Sequence, residues 1–152
     1  GLHRLSSNAL DRSANLAGFA GLQLARLRKR ARRRLKDAHG QPGIDGLHAL
    51  RIALKRLRYG LEFFQPVCAA RPARRLLKQL AKVQDDLGYL HDLEVAQRYL
   101  GDWAGGKVEL REAAAFVAGW HARRALRLTA QLPDRADRML RKRLPLKART
   151  SS

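Results

Sequence analysis

Leucines at 47, 50, 54, 57 and 61 recur every three or four residues in "LHALRIALKRLRYGLEFF". Wound at about 100° per residue they form one stripe, with Phe64 beside it. That periodicity constrains the fold more than any other feature, because it returns along nearly the whole sequence. Leu22, Leu24, Ala25, Leu27, Ala31 and Leu35 carry it over about 19–39, and Leu76, Leu77, Leu80, Val83 and Leu87 over about 72–87. A further helix is predicted from Tyr89 to Trp103. Another, over about 107–131, carries Leu110, Ala114, Val117, Ala118, Leu126 and Leu128. No strand-like alternation of useful length interrupts them. The fold class is therefore all-α, an antiparallel helical bundle of about four to five long helices with short loops.

Punctuation sets the boundaries. "HGQPGIDG" supplies Gly40, Pro42 and Gly43 as turn formers and Asp45 as a candidate N-cap, and Pro66 and Pro72 bracket the next connection. Gly88 reads as a helix stop, "GDWAGGK" as a loop, and Pro133 as the end of the last helix. The implied organisation is an N-terminal segment 1–18 with room for a short helix, a helical bundle over 19–132, and a basic C-terminal tail over 133–152.

Charge limits the partners. Thirty-two Lys and Arg against thirteen Asp and Glu give +19, and the sequence pI is near 11.6. Such a surface repels itself, which argues for a polyanionic partner: DNA, RNA, an acidic membrane surface or inorganic polyphosphate. The acids are segregated. Asp85, Asp86, Asp92, Glu94, Asp102, Glu109 and Glu112 fall within 85–112, opposed there only by Arg98, Lys107 and Arg111. The absence of an apolar run of about 18 residues and of a leader at Gly1 predicts a soluble chain without an export signal. One cysteine, Cys68, excludes an internal disulfide and argues for a reducing compartment.

Basic residues also fall in files. On the helix from 45 to 65, His48, Arg51, Lys55, Arg58, Tyr59 and Glu62 share an arc of about 100° beside the leucine stripe. The first four climb about 15 Å, a ladder of donors suited to a chain of phosphates. Arg71, Arg75, Lys78 and Lys82 form a second file at i, i+4, i+7 and i+11. His121 and Arg124 begin a third, with Trp120 beside them as a core or wall residue. "RLRKRARRRLK" surrounds the first helix with charge, including Arg26 and Arg30.

Catalytic chemistry is not visible. The sequence has no glycine-rich phosphate loop, no HExxH and no cysteine–histidine metal spacing, so neither a metal nor a cofactor is expected. His91–Asp92 lacks the further His or Asp at helical spacing that would complete a metal site, and no nucleophile–base set assembles. A non-enzymatic binding module is expected.

The order His48, Arg51, Lys55, Arg56, Arg58, Tyr59, then Leu87, Gly88 and Asp92, then Gly119 and Trp120, resembles the CHAD family, the conserved histidine α-helical domain, in its C-terminal half. The likeness covers roughly 20–132. Arg56 belongs to the motif by order but falls off the arc. The full family domain is a duplication of two helical bundles around a basic channel, and this sequence carries one set of the motifs.

The resemblance implies a phosphate-binding module for inorganic polyphosphate. The residues to which it and the files assign binding are His48, Arg51, Lys55, Arg58, Tyr59, Arg75, Lys78, Lys82, His121, Arg124, Arg26 and Arg30. The implied protein partners are a second CHAD half or a linked CYTH-type triphosphatase domain, with no membrane partner. The implied location is the cytoplasm, at polyphosphate granules. The alternative is a nucleic-acid-binding basic helical protein, for which the pI and the arginine run would suffice.

Overall fold

The computed structural model describes residues 2–40 and 44–147. Pro42 and Gly43 of the expected turn, and the tail from 148 to 152, lie outside the described residues. Four α-helices follow one another: α1 (Leu2–Gly40), α2 (Ile44–Phe63), α3 (Ala70–Ala104) and α4 (Val108–Arg141), with a 3-10 turn at Gln65–Val67 between α2 and α3. The links are short, so successive helices run antiparallel. α1 packs on α2, α2 on α3, α3 on α4, and α4 returns to α1, closing a four-helix bundle.

The leucine stripe packs as expected. Leu50, Leu54, Leu57, Leu61 and Phe64 are buried and Leu47 is half-buried, against Leu24 and Ala31 of α1, Leu80, Val83 and Leu87 of α3, and Leu132, Ala136 and Leu140 of α4. Gly60 lets α1 and α2 approach closely. A Cβ at Gly60 would stand 2.7 Å from Leu27 Cδ1 and 3.3 Å from Leu24 Cδ2.

Three expected breaks are absent, two of them for one reason. Gly88 lies inside α3 because Leu87 and Leu90 are buried on either side of it. Burial of a continuous stripe outweighs the roughly 1 kcal/mol helix penalty of a glycine. Pro133 lies inside α4, where it removes a backbone donor, yet Leu132, Ala136, Met139 and Leu140 carry the buried face through to Arg141. The segment before residue 19 continues α1 as one helix. Asp45 falls in the first turn of α2, where its charge suits the positive helix end. Of "GDWAGGK", only Gly105, Gly106 and Lys107 leave the helices, the two glycines at positive φ.

The chain after α4 is pinned to the α2–α3 link. Ala69 donates its N–H to the Pro145 carbonyl at 2.7 Å, and Lys147 donates its own to Val67 at 3.2 Å. Lys147 Nζ adds a bond to the Pro66 carbonyl at 2.8 Å. Cys68, beneath this strap, is buried, and burial pushes its thiol pKa up, with partial relief from the Lys147 charge.

Unequal lengths shape the ends of the bundle. α2 has 20 residues, about 30 Å, whereas α3 has 35 and α4 has 34. His91 of α3 sits against His48 in the first turns of α2. From about Ala96 onward, α3 therefore runs beyond the start of α2 with α4 as its neighbour. At the other end Phe19 packs edge-on against Phe64, so α1 before Phe19 runs beyond the end of α2. Among the described residues no helix is long and apolar enough to cross a membrane.

Candidate anion-binding face

The file on α2 lies along the outer groove between α2 and α3. Its ladder spacing follows from the leucine stripe: burying one stripe of a helix fixes where every other side chain points. Arg58 shows the orientation directly. Its Nε donates to Glu62 Oε1 at 2.9 Å, and its Nη1 donates to Gln84 Oε1 of α3 at 3.1 Å. The guanidinium is thus held by both helices, with its face still open to solvent. One turn back, Lys55 Nζ stands 5.6 Å from the Tyr59 ring centroid. Arg51 is half-buried, while Lys55, Tyr59 and His48 are exposed. At the top of the file the His48 ring meets His91 of α3, with centroids 5.5 Å apart and planes tilted by 34°. His91 Nδ1 is buried and has no hydrogen-bond partner. Along about 15 Å of α2 the groove therefore offers two imidazoles, three cations and a phenol, with one carboxylate, Glu62, at its end.

The other predicted residues do not join this groove. On α3, Gln84 and His91 are seven residues apart and both meet α2. Lys82 and Tyr89 are also seven apart, and Tyr89 meets α4. The second file, Arg75, Lys78 and Lys82, is exposed and follows the α4-facing edge of α3 by this phase. It is separated from the α2 file by the outer surface of α3.

His121 and Arg124 gather on that second side, where Tyr89 OH and His121 Nδ1 are hydrogen-bonded at 2.6 Å. The Arg124 guanidinium carbon stands 4.0 Å from the centre of the Tyr89 ring, a cation–π contact. His121 and Arg124 are thus already engaged with protein partners. Trp120 is neither core nor wall but is exposed on the outer side of α4, as is Leu126.

Arg26 and Arg30 belong to a third region. They rim a broad, open cleft of about 1320 Å³ between α1 and α4, which also takes in Arg28, Arg32, Asp137 and Arg141. Its chemistry is mixed. Asp137 holds Arg141 at 2.6 Å, Asp134 adds a second carboxylate, and Arg28 is committed to the Lys142 carbonyl at 2.9 Å. The cleft also gathers Lys29, Arg33, Arg34 and Lys36 and is the more cationic of the two; the α2–α3 groove differs in carrying its donors in one file on a helix whose buried stripe sets their direction.

His91 and Gln84 were not anticipated as members of the groove. A signal for them exists in the spacing. In an antiparallel helix pair, residues equidistant from the link meet, and a link centred near residue 70 sets 48 against 91 and 58 against 84. The sequence pairs His91 only with Asp92, which is an exposed residue in the interior of α3. Among the described residues no group of three or more His, Cys, Asp or Glu is placed to hold a metal ion.

A family model for the CHAD domain matches residues 2–101. The chain belongs to the CHAD domain family. The match takes in α1, α2 and nearly all of α3, and so includes the whole α2–α3 groove with His48, Gln84 and His91. α4, with His121 and Arg124, lies beyond it. No curated protein and no solved structure matches the chain.

Proposed function

We propose that this CHAD domain is a non-catalytic binding module for inorganic polyphosphate, and that the chain of phosphates lies along the α2–α3 groove. The observation that carries the reading is the ladder itself: His48, Arg51, Lys55 and Arg58 along the outer side of one packed helix, with His91 and Gln84 facing them. Phosphate oxygens accept from each of these donors, and charge-assisted bonds are the strong ones. Donors already oriented by packing lose little freedom on binding, which favours them over the long arginine run of α1.

A linear polyanion fits such a strip better than a compact anion does, because successive charges meet successive turns of the helix. A duplex is too wide to enter the groove and reaches only its rim. Arg75, Lys78 and Lys82, with His121 and Arg124, form an auxiliary face on which a longer chain continues around α3. Arg26 and Arg30 add long-range attraction. In the cell this reading puts the domain in the cytoplasm at polyphosphate granules, next to a second CHAD half or a CYTH-type triphosphatase domain.

Competition decides between polyphosphate and nucleic acid. Labelled polyphosphate is titrated against duplex DNA and RNA at matched phosphate concentration while salt is raised. Every polyanion binds a +19 surface at low salt. Near physiological ionic strength, where exposed contacts are screened over about 8 Å, polyphosphate is expected to remain bound and the duplex to be lost. Displacement of polyphosphate by duplex DNA under those conditions makes the chain a nucleic-acid-binding protein instead.

A further inference from the structure

The outer side of α4 is an unpartnered apolar face. Leu128, Leu132 and Ala136 mark the buried side of the helix. On the opposite side Phe116 is 69%, Trp120 76% and Leu126 72% exposed, and Val108 continues the same face. Phe116 and Trp120 lie ring to ring, 6.2 Å between centroids. Along one edge of this face run Ala115, Gly119 and Ala122, small residues at i, i+4 and i+7 that leave a shallow furrow. A Cβ at Gly119 would meet nothing within 4 Å. Glycine weakens a helix interior relative to alanine, and among the described residues no neighbour calls for one here. An open glycine leaves room for the close approach of another helix.

We propose that this face is the contact of a two-fold dimer, in which α4 packs antiparallel on α4 of a second copy and the two helices cross at Gly119. Charge along the helix selects this partner. The first half of the face carries Glu109 and Glu112, and the second half carries Arg123 and Arg127. Among the described residues none of these four makes an ion pair. A parallel copy sets like on like, whereas an antiparallel copy crossing at Gly119 sets Glu112 beside Arg123 and Arg127 of its mate. The two-fold axis gives that arrangement twice. The face from Val108 to Ala130 is also centred on Gly119, so both copies are covered along its full length.

Size and field agree with this. Aromatic side chains present about 150–250 Å² each, so the four large residues offer on the order of 500 Å² per copy. The alanine furrow and the charged rim bring this toward the ~800 Å² per partner of a standard interface. Over Val108–Ala130 the helix carries Glu109 and Glu112 against Arg111, Arg123, Arg124 and Arg127, so it is the pairing of opposite ends across the axis that offsets the repulsion between two basic copies. The inference does not rest on the anion-binding reading.

Sedimentation of the full chain over a range of concentrations, with and without polyphosphate, tests it. The expected result is a concentration-dependent dimer without ligand. Phe116→Ala with Trp120→Ala is expected to leave a monomer. Glu112→Arg alone is expected to raise the dissociation constant at least tenfold, and Glu112→Arg with Arg123→Glu and Arg127→Glu to restore dimerisation. All these side chains are exposed, so helicity and melting temperature serve as controls on folding. A cysteine at the axis gives an independent readout: Gly119→Cys is expected to form a disulfide-linked dimer on oxidation, because a residue on a two-fold axis meets its own copy. A wild-type chain that stays monomeric overturns the proposal. So does a dimer indifferent to Trp120, Phe116 and Glu112.

Discussion

Glu62→Gln separates a structured groove from a merely basic surface. In the free protein Glu62 Oε1 accepts from Arg58 Nε at 2.9 Å, while Gln84 accepts from the Nη1 of the same guanidinium at 3.1 Å. A phosphate arriving at Arg58 must compete with that carboxylate. The pair is well exposed, 39% and 43% for the two side chains, and exposed pairs of this kind are worth about 0.2–1 kcal/mol. Removing the carboxylate charge also removes its repulsion on the ligand, about 0.5 kcal/mol at roughly 8 Å in water before screening. The two contributions together correspond to a gain in polyphosphate affinity of about threefold to tenfold.

Any loss of a negative charge strengthens polyanion binding somewhat, so the control matters. Asp137→Asn makes the same change of charge in the same i, i+4 geometry, beside Arg141 at 2.6 Å, but in the α1–α4 cleft. Both variants are nearly isosteric, and their melting temperatures report any cost to the fold. Affinities are read by polarisation of a labelled polyphosphate at about physiological salt. A gain confined to Glu62→Gln is expected, with Asp137→Asn changing affinity by less than about twofold. Equal gains would mean that net charge alone governs binding. A larger gain from Asp137→Asn would move the ligand into the α1–α4 cleft.

The remaining predictions concern the helices around that groove. Binding should tighten as pH falls from about 8 to about 6. A protonated imidazole donates to phosphate from both nitrogens, so the bound anion favours protonation and binding takes up a proton. His48→Gln should flatten the slope measured by titration, and an unchanged slope would assign it to another group. Gly60→Leu forces bulk against Leu24 and Leu27 and is expected to lower stability in thermal melts by about 1–3 kcal/mol. Gly60→Ala should do less harm, since better helix propensity returns about 1 kcal/mol. Cys68 should resist alkylation in the native protein at mildly alkaline pH and react on denaturation, because burial raises its thiol pKa. The same shift means that this thiol's contribution to stability is full below its unfolded pKa and declines above it, as the unfolded chain ionises first.

Much of this architecture was legible in the sequence because a leucine stripe does two things at once. Leu50, Leu54, Leu57 and Leu61 are buried as their spacing required, and that burial fixes the direction of the file from His48 to Tyr59. The boundaries were less legible. Gly88 and Pro133 read as stops under local rules, but in both cases the buried stripe continues across them, and packing outweighs a local penalty of one residue. Leu126 and Trp120 fitted an apolar pattern and yet are exposed. Residue type reveals that a side chain seeks cover, not whether the cover lies in its own chain.

Which files share a groove was not legible from single helices at all. Lys78 and Lys82 resemble Lys55 and Arg58 in spacing and charge, but they stand on the other side of α3 from Gln84. Only the register of the α2–α3 pair separates them. That register is set by the short link and by the interlocking of Leu50, Leu54, Leu57 and Leu61 with Leu76, Leu80, Val83 and Leu87, and the strap after α4 bonds to the same link through Ala69 and Lys147. A slip of one helical turn, about 5.4 Å, would take His91 away from His48 and Gln84 away from Arg58. The donors of the groove would remain on their helices while the groove itself disappeared. The strap contributes no residue to the proposed anion-binding face, but its bonds to Pro66, Val67 and Ala69 tie the chain after α4 to the link between the two helices that form it.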